Sequence, residues 1–285
     1  MTRAPAAAGC LIAWTALAAS AQTPTFSTGV EAIRVDVLVT ESDRPLLGLA
    51  PGDFEIRDNG VPQAVDFVSS ERLPLNLILA LDASASVSGE PLEHLRAAGL
   101  ALLERLEPED QVALLTFSHE VTLWEALTRD VDRVGGALSR VEPQGQTAVI
   151  DASFAAMVLG EADVGRDLMI VFSDGLDTSS WLTREQVLDA ARYSDIVVYG
   201  VSVRGAERPE FLEDLSRLTG GSLLEVDSTH DVSAAFVRVF DEFRHRYLLS
   251  FSPRGVPPDG WHALEVKVRN RRATVKARAG YVGRP

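Results

Sequence analysis

"LILALDASASVSG", residues 77–89, carries an apolar run straight into Asp82 and then places serines at alternate positions after it. Residues two apart on an extended chain point to the same side, so Asp82, Ser84 and Ser86 converge on one point. Read from further upstream, "PLNLILALD" (74–82) has almost no polar face. That predicts a strand covered on both sides, as in the parallel sheet of an α/β protein. A helix follows, because "PLEHLRAAGLALLERL" (91–106) sets Leu92, Leu95, Ala98, Leu102 and Leu106 on one stripe.

The alternation of strand and helix continues outward. "QVALLTF" and "VTLWEAL" lie on either side of Ser118-His119-Glu120, which predicts a hairpin, and "DLMIVFSD" and "DIVVYGVSV" are again continuous buried strands. Val232, Ala235, Phe236, Val239, Phe240 and Phe243 define a last amphipathic helix, with Ser228 or Thr229 as its expected cap. The predicted fold over 73–246 is α/β: a doubly wound, largely parallel sheet with one antiparallel edge strand.

Both flanks read as β. "EAIRVDVLVT" (31–40) alternates apolar and polar residues, and "DFEIRDNGVPQAVDF" (53–67) holds two short strands around the Asp58-Asn59-Gly60 turn. After Tyr247, "YLLSFSP", "WHALEVKV" and "ATVKARAGYV" read as three strands, the last two joined across "RNRR". Segments 22–72 and 247–285 are each too short to hold a core alone, so they are predicted to pack together as one small all-β module.

The first residues have another character: Arg3, an apolar run "CLIAWTALAAS", then "ASA" before Gln22. This is the layout of a secretory signal peptide over 1–21, with cleavage expected after Ala21 and a secreted or periplasmic destination. The run is shorter than the roughly 20 residues that span a bilayer, and no later segment is longer, so no membrane span is expected in the mature chain. Cys10 is the only cysteine and lies inside this leader, which leaves no thiol for disulfides, metal ligation or catalysis. A formal net charge of −14 argues against nucleic acid and anionic membranes as partners. Lysine occurs only at Lys267 and Lys276, which excludes a phosphate-loop lysine elsewhere.

Ligands of open α/β sheets sit beyond the carboxyl ends of the strands, which is where Asp82, Ser84 and Ser86 fall. Two further oxygen-bearing stretches occupy equivalent places: Thr147 in "GQTAVIDA" before a helix, and Asp174 in "VFSDGLDTSS" after a strand. Together they offer two carboxylates and three hydroxyls with no His or Cys, a hard donor set suited to Mg²⁺, Mn²⁺ or Ca²⁺. Asp177 and Ser179 lie close enough to Asp174 to support it from behind. Two other readings compete. Asp82 and the serines could simply cap the helix near Pro91. Alternatively, Asp82, Ser84, Ser86, Ser88, Glu90 and Glu93 fit the ligand positions of a helix-loop-helix calcium loop, although Val87 stands where that loop needs glycine.

Asp-x-Ser-x-Ser, a distant Thr, and Asp-Gly after a strand resemble the metal-ion-dependent adhesion site of a von Willebrand factor type A domain. The flanking "GLAPGDFEIRDNGVPQAVDF", "YLLSFSP", "DGWHALEVKV" and "ARAGYV" resemble the secreted von Willebrand factor A-related proteins first grouped from acidobacteria. The resemblance implies that Ser84, Ser86 and Thr147 contact the metal directly, that Asp82 and Asp174 hold it partly through water, and that one coordination place stays open. A protein partner's Asp or Glu carboxylate would fill that place, making the chain a secreted adhesion-type binding module and not an enzyme. An envelope component with a purely stabilising metal is the alternative. A metal-dependent phosphohydrolase with Asp82 as nucleophile is disfavoured, because Ser84 stands where such an enzyme needs a second Asp.

Overall fold

The computed structural model describes residues 32–71, 73–160, 165–205 and 208–283. The leader, its cleavage point and Cys10 lie outside the described residues. In chain order the elements begin with β1 (Ile33–Glu41), β2 (Arg44–Pro45), β3 (Phe54–Asp58), β4 (Val61–Gln63) and β5 (Phe67–Ser69). The α/β part comprises β6 (Leu75–Asp82), α1 (Glu90–Leu103), β7 (Gln111–Phe117), β8 (Val121–Thr128), α2 (Val131–Leu138), α3 (Val149–Leu159), β9 (Arg166–Ser173), α4 (Arg184–Ala191), β10 (Val197–Val203), α5 (Glu210–Thr219), β11 (Leu223–Val226) and α6 (Val232–Arg244). The chain closes with β12 (Tyr247–Phe251), β13 (Gly260–Val268), β14 (Thr274–Lys276) and β15 (Gly280–Gly283).

The central sheet has six strands in the order β11-β10-β9-β6-β7-β8. Its pairs are parallel except β7 with β8, which closes one edge antiparallel. Every residue of β6 is buried because successive side chains enter two different cores. Leu75, Leu77, Leu79 and Leu81 pack with α1, α2 and α6, and Ile78 and Ala80 pack with α3, α4 and α5. A strand with helices on both faces needs apolar residues at both parities, which is the physical origin of the unbroken run. In α1 the buried stripe is Leu92, Leu95, Ala98, Gly99, Leu102 and Leu103; Leu106 lies past the helix end, partly buried against the same core.

The remaining strands form two further sheets. One runs β14-β1-β12-β5 with β2 beside β1, and the other runs β15-β13-β3-β4. Val35, Val37, Tyr247, Leu249 and Phe251 of the first meet Phe54, Ile56, Val268 and Tyr281 of the second in one core. The strands that precede the α/β part thus pair directly with those that follow it, β1 with β12 and β3 with β13.

Two local expectations are overturned. The single strand read over "ATVKARAGYV" is two: β14, reached across "RNRR", crosses to the other sheet and pairs with β1, whereas β15 pairs with β13. The break falls at Arg278, which is buried: its guanidinium bonds the carbonyls of Gly280 and Ser194 and pairs with Asp195. Neither Ser228 nor Thr229 caps α6, because a short 3-10 turn (Thr229–Asp231) intervenes and Thr229 turns its hydroxyl to His94.

Arginines join the β sheets to the base of the α/β part. Arg246, 1% exposed, donates to the Asp36 carbonyl and the Tyr199 hydroxyl, and Arg166 pairs with Asp36. All of this lies at the amino ends of the parallel strands, leaving their carboxyl ends free of the module.

Candidate metal centre

Asp82 ends β6 and is fully buried. One carboxylate oxygen accepts the Ser84 N–H at 2.8 Å and the other the Ser173 hydroxyl at 2.7 Å. The Ser84 and Ser86 hydroxyls lie 2.9 Å apart, and Ser86 Oγ donates to Asp174 Oδ1 at 2.8 Å. Asp82, Ser84, Ser86 and Asp174 therefore form one continuous oxygen cluster at the carboxyl ends of the neighbouring strands β6 and β9.

Thr147 lies in the loop before α3, alongside the segment that carries Asp174. Its hydroxyl oxygen lies 4.0 Å from where a Cβ on Gly175 would sit, so it faces the residue next to Asp174. The loop is fixed by backbone bonds to the Asp82 segment, Gln144 N–H to the Ala83 carbonyl and Ala85 N–H to that of Gly145. From the other side, the Thr147 carbonyl accepts the N–H groups of Thr178 and Ser179 at 2.8 and 3.1 Å. Gly145 has φ +70°, a left-handed conformation that favours glycine, and a Cβ there would displace the His119 ring.

Burial pushes the Asp82 carboxyl up to about 6; hydrogen bonds from Ser84 and Ser173 oppose the shift, and the nearby Asp174 charge adds to it. The bonded partners of Asp82 are all neutral, so a cation at the cluster offsets a desolvation that hydroxyls alone leave uncompensated. Among the described residues no three His, Cys, Asp or Glu side chains come together to hold a metal, so an ion here depends on the hydroxyls as well as the two carboxylates. That chemistry fits a hard divalent cation.

Asp177 and Ser179 do not enter the cluster. Asp177 Oδ1 accepts the Ile150 N–H at 3.2 Å, in the first turn of α3, and the Ser180 hydroxyl at 2.5 Å, while Ser179 acts through its N–H on Thr147. Both hold the Thr147 loop in place. Ser173, Thr178, Asp151 and Ser180 belong to the same scaffold. Nothing in the sequence marks them, because their role depends on which strand and loop lie alongside.

The competing readings fail on geometry. Helix α1 starts after Gly89, at φ +79°, with no side-chain cap, so the serines are not its cap. Ser88 Oγ turns to the Ala85 carbonyl and Glu93 pairs with Arg96, which removes two ligands from a calcium loop that a strand already precedes.

A doubly wound sheet with one antiparallel edge and an Asp-x-Ser-x-Ser cluster at its carboxyl end defines the class. The chain belongs to the von Willebrand factor type A domain family, which it matches over residues 76–235, more than half its length. It is 33% identical over 120 residues to the uncharacterized protein sll0103 of Synechocystis sp., covering 41% of this chain and 28% of that one. It is 31% identical over 134 residues to inter-alpha-trypsin inhibitor heavy chain H4 of Bos taurus, covering 45% of this chain and 14% of that one. The matches thus span under a third of the length of these relatives. Among solved structures, a von Willebrand factor type A protein from Catenulispora acidiphila superposes with TM-score 0.54 at 11% identity, over 80% of this chain and 72% of that one. Proximal thread matrix protein 1 from the mussel byssus, with a zinc-occupied MIDAS (metal-ion-dependent adhesion site) motif, gives TM-score 0.55 at 18% identity, over 66% and 49%. These two likenesses concern the fold.

Proposed function

We propose that this chain is a secreted binding module in which Asp82, Ser84, Ser86, Thr147 and Asp174 hold one divalent cation, Mg²⁺ before Mn²⁺ or Ca²⁺, that captures an acidic group of a protein partner. The observation that carries this reading is the single oxygen cluster at the ends of β6 and β9, with the Thr147 hydroxyl close to Gly175, the residue after Asp174. A divalent ion held there supplies an electrophilic place that an outside carboxylate can fill. Three of the five donors are neutral hydroxyls, so the protein does not neutralise the ion by itself. The zinc-occupied motif of the mussel protein of like fold supports the reading that a chain of this fold takes a divalent metal.

The donor set favours binding without chemistry, because Ser84 stands where a metal-dependent phosphohydrolase needs a second Asp. The leader-like sequence of residues 1–21 supports export.

Titration calorimetry with Mg²⁺, Mn²⁺ and Ca²⁺ tests the metal. One ion per chain and a rise in melting temperature with metal concentration are expected, and both should be lost in Asp82→Ala and Asp174→Ala. Absence of heat and of any melting shift with all three ions would overturn the reading.

A further inference from the structure

Resting on that reading, we propose that the partner's acidic residue is flanked by large apolar side chains, and that these land on Trp181 and on a stripe running down the outer face of α3 from the metal centre. Trp181 is 92% exposed, by far the most exposed large apolar residue among those described. Isolated exposed apolar residues are ordinary on a protein surface. This one is not isolated, and its main chain is anchored.

Its N–H donates to Asp151 Oδ2 at 2.9 Å, and the next N–H, that of Leu182, donates to Asp151 Oδ1 at 2.9 Å. In return the Asp151 N–H donates to Ser180 Oγ at 3.1 Å. The Trp181 loop is thus stitched to the first turn of α3, the turn that follows Thr147. Positions i, i+3 and i+7 of a helix share one face, so Asp151, Phe154 and Val158 lie in a row, with Trp181 seated at its upper end. Phe154 and Val158 are 39% and 54% exposed, about 4.5 and 10 Å along the axis from Asp151. On the same loop, between Asp174 and Asp177, Leu176 is 39% exposed.

The acidic groups beside this stripe, Asp151 and Asp177, turn their oxygens to N–H and hydroxyl donors of the scaffold and offer little to a basic partner. On a chain of net charge −14, the cation is what draws a carboxylate, and what surrounds it on this side is apolar. A tryptophan exposed on a loop whose main chain is anchored next to the cluster matches the composition of binding hot spots, where burial of a large ring gains much.

The test uses the mature protein and two acetylated, amidated peptides, Gly-Gly-Asp-Gly-Gly and Gly-Leu-Asp-Phe-Gly, titrated in saturating Mg²⁺ by calorimetry. The apolar-flanked peptide should bind about tenfold tighter or more. Trp181→Ser, alone and with Phe154→Ser, should bring the two peptides together while leaving Mg²⁺ affinity and binding of the glycine peptide unchanged. Equal affinities in the wild type, or a preference that survives both substitutions, would overturn this inference and leave metal-dependent capture standing. If Mg²⁺ binds and neither peptide does, capture of carboxylates fails and this inference with it. Co-sedimentation with phosphatidylcholine vesicles that is lost in Trp181→Ser would also overturn it, assigning the stripe to a membrane surface.

Discussion

At the scale of single residues, Asp82 is a buried carboxyl at the centre of the proposed cation site. Its carboxylate is removed from water, which on its own favours the protonated form, yet a backbone N–H and the Ser173 hydroxyl aim their dipoles at both oxygens. Ser173 makes no part of the donor set and orients the group that does. Ser173→Ala is therefore expected to weaken metal binding by about 10–100-fold without unfolding the domain, whereas Ser88→Ala, whose hydroxyl serves only the Ala85 carbonyl, should leave it unchanged. Calorimetric titration of both variants checks this; equal affinities would remove Ser173 from the site. Asp82, Ser84 and Ser86 were legible in the sequence because period-two spacing after an apolar strand fixes their direction. Ser173 was not, because nothing local says that β9 lies beside β6.

At the scale of elements, the same division between local and distant causes holds. The central strands could be read off directly, since burial on both faces leaves an unbroken apolar run, and so could the β3–β4 turn, where Asn59 and Gly60 both take positive φ. The division of the last strand into β14 and β15 was hidden, because its cause is a partner far away in the chain. Gly220 ends α5 at φ +88°, and a Cβ there would lie 2.5 Å from the Arg278 backbone nitrogen, between β14 and β15. Gly220→Ala thus combines a left-handed backbone with a clash against another main chain, and is expected to cost at least about 2 kcal/mol. Gly136, exposed in α2 with open space around it, is the control, and its replacement by alanine should stabilise by about 1 kcal/mol. Urea unfolding of the two variants measures both; a Gly220→Ala protein as stable as the parent would show that the strand connection does not bear on α5.

At the scale of the whole molecule, the β module and the α/β part meet through charged groups as well as apolar ones. Asp167, the second residue of β9, sits at this junction. Burial pushes its carboxyl up to about 6, the charges of Asp36 and Asp195 add to the shift, and a hydrogen bond from Asn76 opposes it. A carboxyl raised in the folded state favours folding while protonated, so its contribution is present below the ordinary aspartate range and is lost as pH rises through about 6. Asp167→Asn should therefore raise the melting temperature at pH 7, by up to ~2 kcal/mol of stability after allowance for partial exposure, and should flatten the decline between pH 4 and 7. Melting curves for parent and variant across that range decide it, and parallel profiles would contradict it. The pairing of Ile33 with Phe251 and of Val37 with Tyr247 also sets an order of events in time. On a chain made from its amino end, β1 waits without these partners until the entire α/β part has been synthesised, while β6, its helices and the parallel strands can pair as they emerge. The residues of the proposed metal centre can thus be brought together before the sandwich closes, and the closing step ties the first described strand to strands made after the α/β part.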